Sequence, residues 1–365
     1  MTDRKIPVTR SSMPPFEEYV EEIRGLWDSR WLSNRGALHR RFEEQLERYL
    51  GTPHVSLFAN GHLALEAVIQ AAGLTGEVIT TPFTHISTSH AIVRNGLEPV
   101  FCDILESDLT IDPGKIEALI TEKTSAIVAT HVYGYLCHVD DIERIAKKHG
   151  LVVIYDGAHA FGETLDGVGV GNFGDAVMFS THATKVFHTI EGGIVTYRDP
   201  SAFPSLDEIV NFGFTGNDEI GYIGTNARMN EFEAAMGLCN LKYLEREIAS
   251  RRMASELYAQ RLSGVPGIRL LRPQEKVTYN YAYHPVIFDG FKYDREQVLK
   301  RLADRDIFAR RYFYPAVDRA ECYNGRYAHY ETPVAQYHAD HVLTLPLYAG
   351  MAPEDVERVC DAILR

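Results

Sequence analysis

Apolar positions in the first two thirds of the chain follow two alternating patterns. Short unbroken apolar runs, such as Leu151-Val152-Val153-Ile154-Tyr155, are typical of buried strands, and the segments between them repeat at helical spacing. Strands that alternate with helices in this way indicate an α/β domain built on a mostly parallel sheet. The seven predicted strands are residues 55–58, 77–80, 99–103, 126–130, 151–155, 176–180 and 193–197, and the helices between them are residues 63–72, 87–94, 114–120 and 139–149.

The last of these strands interrupts the regular alternation. Only a short loop separates residues 193–197 from the strand at 176–180, whereas a parallel connection would need a helical crossover. We therefore expect residues 193–197 to run antiparallel to their neighbour in an otherwise parallel sheet.

Helical spacing dominates the regions on either side of these strands. We expect two domains: a large one over residues 1–245, which includes an N-terminal helical segment, and a smaller α+β domain over residues 246–365. The remaining predicted elements are helices over 16–50 with a break at Gly36, a long helix over 230–262 that a kink could interrupt, a strand over 279–288, and helices over 294–304 and 353–364.

Composition and charge argue against several classes of function. The 365 residues are 45% hydrophobic and 24% charged, as in ordinary soluble proteins, and no apolar run approaches the roughly 20 residues that span a bilayer. A formal net charge of −13 argues against nucleic acid or an anionic membrane surface as the main partner. The first residues lack the apolar core of a secretory signal, and the five cysteines are scattered. We therefore expect a cytoplasmic protein with reduced thiols and no metal site.

Two polar residues near strand ends point to a specific chemistry. Asp156 follows the apolar run at 151–155, and Lys185 follows the strand at 176–180. Pyridoxal phosphate enzymes need such a pair, because the lysine binds the cofactor aldehyde covalently and the carboxylate keeps the pyridine nitrogen protonated. Taken alone, Asp156 could equally be a turn residue at the end of a strand, and Lys185 could equally be a solvated cation on a loop.

Further polar residues fall at the ends of other predicted strands, where open α/β sheets bind ligands. Asn60 and Gly61 open a helix whose N-terminus could bind a phosphate, although Asn60 alone is more often a simple helix cap. His85 could cover a bound ring, or belong to a turn with a helix cap. His159 could donate a hydrogen bond to a cofactor oxygen and Ser180 could bind phosphate, but each is common by itself.

The ordered set of motifs is far more specific than its parts, and through it the chain resembles the DegT/StrS-type sugar-nucleotide aminotransferases over about residues 6–363. The resemblance implies the PLP-dependent transferase fold type I (aspartate-aminotransferase-like), with a mixed, mostly parallel seven-stranded sheet in the large domain. It also implies pyridoxal 5′-phosphate as cofactor and a homodimer with shared active sites. The matching motifs are Trp31-Leu32-Ser33-Asn34 with Gly36, Asn60-Gly61-His62, Gly76-Glu77-Val78-Ile79-Thr80-Thr81-Pro82, Asp156 with His159 and Gly162, Ser180-Thr181-His182-Ala183-Thr184-Lys185, Glu191-Gly192-Gly193, Asn226-Ala227-Arg228-Met229-Asn230-Glu231 and Leu345-Pro346-Leu347.

The resemblance assigns roles by position. Lys185 would be the Schiff-base lysine and proton carrier, and Asp156 would pair with the pyridinium nitrogen. Asn226 would reach the phosphate bound by the neighbouring subunit, or cap the helix that begins near residue 230. His85 stands where the family usually has an aromatic residue. The implied cofactor-binding residues are Asn60, Gly61, His62, His85, Asp156, His159, Ser180, Lys185 and Asn226.

A basic and aromatic segment, Arg310-Arg311-Tyr312-Phe313-Tyr314, offers candidate substrate contacts. Its arginines could clamp a diphosphate while its rings pack against a sugar or base, or it could be a strand with a solvated basic face. The candidate substrate-binding residues are His182, Arg310, Tyr312 and Tyr314.

Within the family, the chain most resembles the enzymes that form dTDP-4-amino-4,6-dideoxyglucose. That resemblance implies transfer of an amino group from glutamate to a nucleotide-linked 4-keto-6-deoxy sugar. The alternatives are a 3-keto sugar aminotransferase, a PLP-dependent sugar dehydratase of the same fold and a PLP-binding sensor. Lys185 argues against the dehydratase, because those enzymes carry histidine at this position. A nicotinamide-dependent dehydrogenase is disfavoured because no Gly-x-Gly-x-x-Gly follows the first strand.

Overall fold

One seven-stranded sheet forms the centre of the computed structural model, which describes residues 5–365. Two three-stranded sheets accompany it. In chain order the strands are β1 (His54–Phe58), β2 (Glu77–Thr80), β3 (Glu98–Phe101), β4 (Thr124–Thr130), β5 (Val152–Asp156), β6 (Thr164–Leu165), β7 (Val168–Gly169), β8 (Ala176–Ser180), β9 (Gly193–Tyr197), β10 (Ile268–Leu270), β11 (Val277–Thr278), β12 (His284–Phe288) and β13 (Val342–Leu345).

Helices cover the faces of the large sheet and make up much of the C-terminal third. Within residues 5–365, no helix combines the length and apolar character needed to cross a membrane. In chain order the α-helices are α1 (Phe16–Ile23), α2 (Leu26–Ser29), α3 (Ala37–Leu50), α4 (Gly61–Ala71), α5 (Ile86–Arg94), α6 (Pro113–Ile116), α7 (Val139–His149), α8 (Leu206–Val210), α9 (Glu231–Leu241), α10 (Leu244–Leu262), α11 (Arg295–Ala303), α12 (Pro333–His341) and α13 (Pro353–Leu364).

The strand directions in the large sheet are mixed but mostly parallel. Its order is β1-β9-β8-β5-β4-β2-β3, and the neighbours from β8 to β3 pair in parallel. Strand β9 runs antiparallel to both β8 and β1. The predicted α/β sheet and its antiparallel member are therefore confirmed.

Alternate residues along each strand face opposite sides of the large sheet, as the pleat requires. In β5, Val153 and Tyr155 join a hydrophobic core with residues of α3, α7 and α9, whereas Ile154 joins a second core with residues of α4, α5 and α8. Asp156 continues the alternation on the Ile154 side. The end of β5 therefore directs this carboxyl group toward α4 and α5.

The parallel strands end at a common edge of the sheet. At this edge β9 begins between β1 and β8, with Gly193 paired to both Phe58 and Ser180. A Cβ atom at Gly193 would lie 2.5 Å from the carbonyl oxygen of Asn60. Glycine therefore allows the loop between β1 and α4 to lie close against the sheet edge.

The C-terminal third has its own hydrophobic core. Strands β10, β12 and β13 form an antiparallel sheet that packs with α10, α11 and α13. Ile6 also belongs to this core and forms a β-bridge with Ile307, so residues before α1 pack against the C-terminal unit. The division of the chain between residues 245 and 246 stays a prediction.

Several predicted elements differ from those observed. The helical segment predicted over 16–50, with its break at Gly36, ends with α2 at Ser29 and resumes only with α3 at Ala37. The predicted helix over 230–262 is interrupted between α9 and α10, and the helix predicted over 114–120 ends at Ile116 and continues as a 3₁₀ turn. The strand predicted over 279–288 is wrong at its start, since β12 begins only at His284. The preceding residues leave the extended conformation because the side chain of Asn280 donates to the carbonyl of His159 and Tyr281 has a φ of 55°.

Candidate active site

A cavity of ≈ 490 Å³ opens at the carboxyl ends of β1, β4, β5 and β8. A second cavity, of ≈ 480 Å³, lies among α2, α3 and the start of α9, and its lining contains no lysine. The first cavity brings together most of the residues predicted to bind cofactor or substrate: Asn60, Gly61, His62, His85, Asp156, His159, Ser180, His182, Lys185, Arg310 and Tyr312.

Two predicted site residues are absent from the lining of this cavity. Tyr314 is 45% exposed, and its ring packs against the guanidinium groups of Arg295 and Arg311. Asn226 accepts hydrogen bonds from Arg228. The alternative role of Asn226 as a helix cap is wrong, because Asn230 caps α9. Its role toward a neighbouring subunit stays a prediction.

Asp156 is buried at the wall of the cavity with only neutral partners. Its side chain is 3% exposed, and its oxygens accept hydrogen bonds from the backbone N–H of Ala158 (3.0 Å) and the hydroxyl of Thr88 (2.7 Å). Among the residues that the structure describes, no basic side chain forms an ion pair with it. A buried carboxylate without a counter-charge is costly, so the site favours a cationic ligand atom beside Asp156.

A chain of threonine hydroxyls orients this carboxylate. Thr84 lies 2.9 Å from the hydroxyl of Thr88 and 2.8 Å from that of Thr130. Because Thr88 gives its single proton to Asp156, Thr84 donates to Thr88, and Thr130 donates to Thr84. The three bonds polarise one another in one direction and hold Asp156 as an acceptor.

The start of α4 forms an anion-binding corner of the cavity. Asn60 caps the helix, since its side chain accepts the N–H of Leu63 at 2.9 Å. A Cβ atom on Gly61 would lie 2.9 Å from the Cβ of Ser180, so only glycine lets the helix approach the end of β8. Free N–H groups and the helix dipole at this end suit a phosphate. Asn60 is therefore a cap that helps to build the corner.

His159 has a fixed hydrogen-bonding direction. Its Nδ1 accepts the backbone N–H of Tyr133 at 3.0 Å. Burial, together with the charges of Lys185 and Arg310, lowers the pKa of His159 well below its usual value. The ring is therefore neutral, and its proton is on Nε2, where it can be donated. The hydroxyl of Tyr312 lies 3.4 Å from this nitrogen.

Aromatic rings form the opposite wall. The ring of Tyr283 lies 4.6 Å from that of His159, and Phe313 stacks on His159 at 5.9 Å. His85 caps α5 by accepting the N–H of Ser87, and it still lines the cavity. Burial lowers the pKa of His85, so its imidazole is neutral at neutral pH. Both interpretations of His85, a helix cap and a ring at the cavity, are therefore compatible.

Lys185 stands on a loop that is closed at its base. The hydroxyls of Thr181 and Thr189 lie 2.6 Å apart, and the N–H of Lys185 donates to the carbonyl of His182. A Cβ at Gly192 would lie 2.2 Å from the hydroxyl of Thr181, so the glycine makes room for this closure. The loop thus presents Lys185 to the cavity, where its ammonium group lies 6.0 Å from the centre of the Tyr283 ring.

The mouth of the cavity is more exposed and carries charges. His182 Nε2 lies 3.5 Å from a carboxylate oxygen of Glu191, and both side chains are about half exposed. The guanidinium of Arg310 lies 4.4 Å from the centre of the Tyr312 ring. These groups can meet a polar substrate that reaches beyond the inner wall.

Sequence reasoning missed several residues that shape this site. Thr88 lies inside a predicted helix, and Tyr283 lies in a segment predicted as a strand, so neither was near a predicted strand end. The contact of Tyr133 with His159 uses a backbone N–H, which has no sequence signal. Glu191 belongs to a motif that the sequence analysis quoted without assigning a role. The available signal for the hydroxyl chain was the four-residue spacing between Thr84, just before the cap of α5, and Thr88 in its first turn.

Comparison with known proteins agrees with this geometry. The model of the DegT/DnrJ/EryC1/StrS aminotransferase family matches residues 16–364. The dTDP-4-amino-4,6-dideoxy-D-glucose transaminase of Escherichia coli is 38% identical over 370 residues, which cover 100% of this chain and 99% of the relative. GDP-perosamine synthase of Vibrio cholerae is 29% identical over 364 residues, covering 98% of each chain.

A solved structure is similar to this chain in both sequence and fold. DesI, determined in the presence of its TDP-sugar product, shares 34% sequence identity and a TM-score of 0.94, over 99% of this chain and 92% of DesI. The family match and the coverage of both chains extend over both the large sheet and the C-terminal unit. The chain therefore belongs to the DegT/DnrJ/EryC1/StrS aminotransferase family.

Proposed function

We propose that this aminotransferase uses pyridoxal 5′-phosphate to move an amino group from glutamate to a nucleotide-linked 4-keto-6-deoxy sugar, with dTDP-4-keto-6-deoxyglucose as the acceptor. The observation that carries the proposal is the single cavity that joins Lys185, the buried Asp156 and the N-terminus of α4. Aminotransferases of this family depend on pyridoxal phosphate. The donor glutamate is inferred from the resemblance of the sequence to this family.

The residues present fit this cofactor. Asp156, which is buried without a counter-charge, suits a protonated pyridine nitrogen. The start of α4 and Ser180 suit the phosphate, and His159 Nε2 has a proton to donate to the ring oxygen. Lys185 supplies an amine at the same cavity.

The chemistry divides between cofactor and protein. Pyridoxal phosphate supplies an aldehyde that binds amino groups covalently and a ring that accepts electrons. In our proposal Lys185 removes the α-proton of the amino donor and later returns a proton to C4 of the sugar. Asp156 would place its negative charge beside the ring nitrogen, and the threonine hydroxyls keep its oxygens in place.

The sugar acceptor is proposed from the mouth of the cavity together with the relatives. Arg310 provides a cation at the rim, where a diphosphate can lie, and Tyr312 provides a ring beside it. The Escherichia coli relative is a dTDP-sugar transaminase and DesI was determined with a TDP-sugar product, which supports a dTDP-linked acceptor. His182 and Glu191 would contact the part of the substrate that reaches beyond the inner wall.

We further propose a cytoplasmic homodimer in which Asn226 completes the phosphate site of the partner subunit. A group of large apolar residues that are 39–88% exposed supports a partner next to Asn226. The proposed domains are residues 1–245 and 246–365, with the cavity lined from both. The apolar residues of this group are Phe212, Phe214, Ile220, Tyr222 and Ile223.

The test is the near-visible absorption spectrum of the purified protein with pyridoxal phosphate, before and after glutamate. We expect a band that glutamate removes and that a keto-sugar nucleotide restores. A panel of dTDP- and GDP-linked keto sugars then identifies the acceptor. Lys185→Ala should retain some cofactor and lose at least about 10⁴-fold in turnover. Full turnover in this variant would refute the assignment of Lys185.

A further inference from the structure

Two buried polar residues behind the cavity have no role in the chemistry described so far. Asn280 and Glu163 are each 1% exposed. The side-chain amide of Asn280 donates to the carbonyls of His159 (2.8 Å) and Phe161 (3.0 Å), which uses both of its hydrogens. The backbone N–H of Asn280 donates to a carboxyl oxygen of Glu163 at 3.1 Å. Together these bonds join the segment before β12 to the loop that carries His159.

The position of Asn280 connects two sides of the active site. Pairing of β11 with β6 holds the start of this segment, with Thr278 opposite Thr164. Three residues after Asn280, the ring of Tyr283 lies over His159. Asn280 also lines a small crevice that includes Lys185 and Tyr283. A shift of Asn280 would therefore move the ring of Tyr283 and the backbone of His159 together.

Glu163 contacts a third loop of the site. A Cβ at Gly134 would lie 2.5 Å from a carboxyl oxygen of Glu163, and Gly134 has a φ of 95°. The neighbouring residue is Tyr133, whose N–H fixes the ring nitrogen of His159. The pair Glu163–Asn280 thus touches the loop that carries His159 and the loop of Tyr133, whose N–H fixes the His159 ring.

We infer that Glu163 and Asn280 are positioning residues for the amino transfer, which hold the Nε2–H of His159 and the ring of Tyr283 in place at the cofactor. This inference rests on the proposed function, in which His159 would donate to the cofactor in the cavity that Tyr283 also lines. Neither residue of the pair lines the main cavity, so both act through the groups that they hold.

The chemistry of the pair favours a neutral Glu163. Burial raises the pKa of Glu163 well above its usual value, and only the N–H of Asn280 opposes this shift. The titratable groups facing Glu163 are the phenols of Tyr135, Tyr279 and Tyr281, each of which has a raised pKa. In the described part of the chain, no cation pairs with the carboxyl group. Glutamine can therefore replace a neutral Glu163. Alanine cannot replace Asn280, because its methyl group donates no hydrogen bonds to the two carbonyls.

The first experiment compares Asn280→Ala with Asn172→Ala. Asn172 also donates its side chain to backbone carbonyls, those of Gly51 and Gly169, but it lies outside the cavity lining. We expect Asn280→Ala to lower kcat about a hundredfold and to shift the pH midpoint of the cofactor band by about one unit, because His159 loses its fixed direction. Asn172→Ala should lower thermal stability and leave the band midpoint unchanged.

A second readout needs no cofactor. In the apo protein, amide hydrogen exchange in the peptide over residues 157–163 should become faster in Asn280→Ala and stay unchanged in Asn172→Ala, because only the first variant releases this loop. Glu163→Gln should keep kcat within about twofold of the parent, because the amide oxygen can still accept the N–H of Asn280.

The pH dependence of Glu163→Gln gives an independent test. A raised pKa in the folded state means that the parent loses stability as the pH rises above 4.5, the usual value for glutamate. Glutamine does not titrate, so the stability of the variant relative to the parent should increase with pH. If the stability of Glu163→Gln relative to the parent does not change with pH, or if this variant is as inactive as Asn280→Ala, the pairing of a neutral Glu163 with Asn280 is refuted.

The outcomes separate this inference from the proposed function. If the parent shows the cofactor band and Asn280→Ala changes neither band midpoint nor loop exchange, the positioning role alone is refuted. If the parent shows no cofactor band, the proposed function fails, and the positioning role fails with it.

Discussion

Asp103 and Asp156 are buried carboxylates at the carboxyl edge of the same sheet, near the ends of β3 and β5, and they are 2% and 3% exposed. Around Asp103 the chain supplies everything the charge needs. Its oxygens accept the N–H groups of Val334 and Ala335 at the start of α12, and Lys115 pairs with it at 2.9 Å. Around Asp156 the chain supplies two neutral donors and no cation in residues 5–365.

The difference shows how a structural carboxylate can be distinguished from a ligand-binding one when both lie near the end of a strand and are equally buried. Asp103 fixes a helix of the C-terminal unit to the large sheet, so its charge is already compensated. Asp156 faces the cavity with an uncompensated charge, which a bound cation can neutralise. The missing counter-charge, and not burial alone, is what supports our proposal that Asp156 binds the cofactor.

The strongest test of this comparison replaces each carboxylate by its amide. Asp156→Asn should lower kcat about 10²–10³-fold, the range for loss of one preorganised electrostatic contact at a reacting group. Asp103→Asn should cost about 1 kcal/mol in the free energy of unfolding, as for other helix caps, with kcat nearly unchanged. Steady-state kinetics and thermal unfolding of both variants provide the measurement. Equal losses of kcat would abolish the distinction between the two sites.

A smaller effect on kinetics is expected from two adjacent arginines, of which one faces the cavity and the other is already paired outside it. Arg310 lines the cavity, whereas Arg311 pairs outside it with Glu296 and the ring of Tyr314. Arg310→Ala should raise KM for the sugar nucleotide about tenfold, the value of one charge-assisted hydrogen bond. Arg311→Ala should change KM less than about twofold, as expected for an exposed pair. A larger effect for Arg311→Ala would place the diphosphate outside the cavity.

The smallest expected effect concerns His131, which is buried beside Asp156 and yet needs no ligand. Its Nδ1 accepts the N–H of Cys137, and burial lowers its pKa to about 3, so it stays neutral. A lowered folded-state pKa means that stability is complete above the usual value of 6.5 and falls as the pH drops toward 3. His131→Asn should therefore show a shallower fall of the thermal midpoint over this range. If the thermal midpoints of variant and parent fall identically, His131 takes up a proton as readily in the folded protein as in the unfolded chain.

Much of the inner site could be predicted from the sequence because its residues follow strands whose apolar runs are unmistakable. Asp156 and Ser180 end such runs, and Asn60 and Gly61 open the next helix. The strands of a parallel sheet end at one edge, so these positions lie close together whatever the conformation of the connecting loops. That rule located the cavity without any knowledge of side-chain contacts.

The rest of the site depends on long-range contacts that a local pattern does not contain. The sequence predicts Tyr314, like Tyr312, as a substrate contact, but the ring of Tyr314 packs outside the cavity against Arg295 and Arg311. Asn280 and Tyr283 approach the loop that carries His159 from a segment whose start pairs, through β11, with β6 more than a hundred residues earlier. The alternation of apolar residues near 279–288 predicted a strand there and gave no sign that Asn280 bonds to His159 and Phe161.

The most direct test of the account is to trap the bound cofactor and find which lysine carries it. The protein is incubated with pyridoxal phosphate, reduced with borohydride, digested and analysed by peptide mass spectrometry. We predict one modified peptide, the one that contains Lys185, and no such peptide when glutamate is added before the borohydride. Modification of a different lysine, or of none, would contradict the assignment of the cavity between Lys185 and Asp156 as the cofactor site.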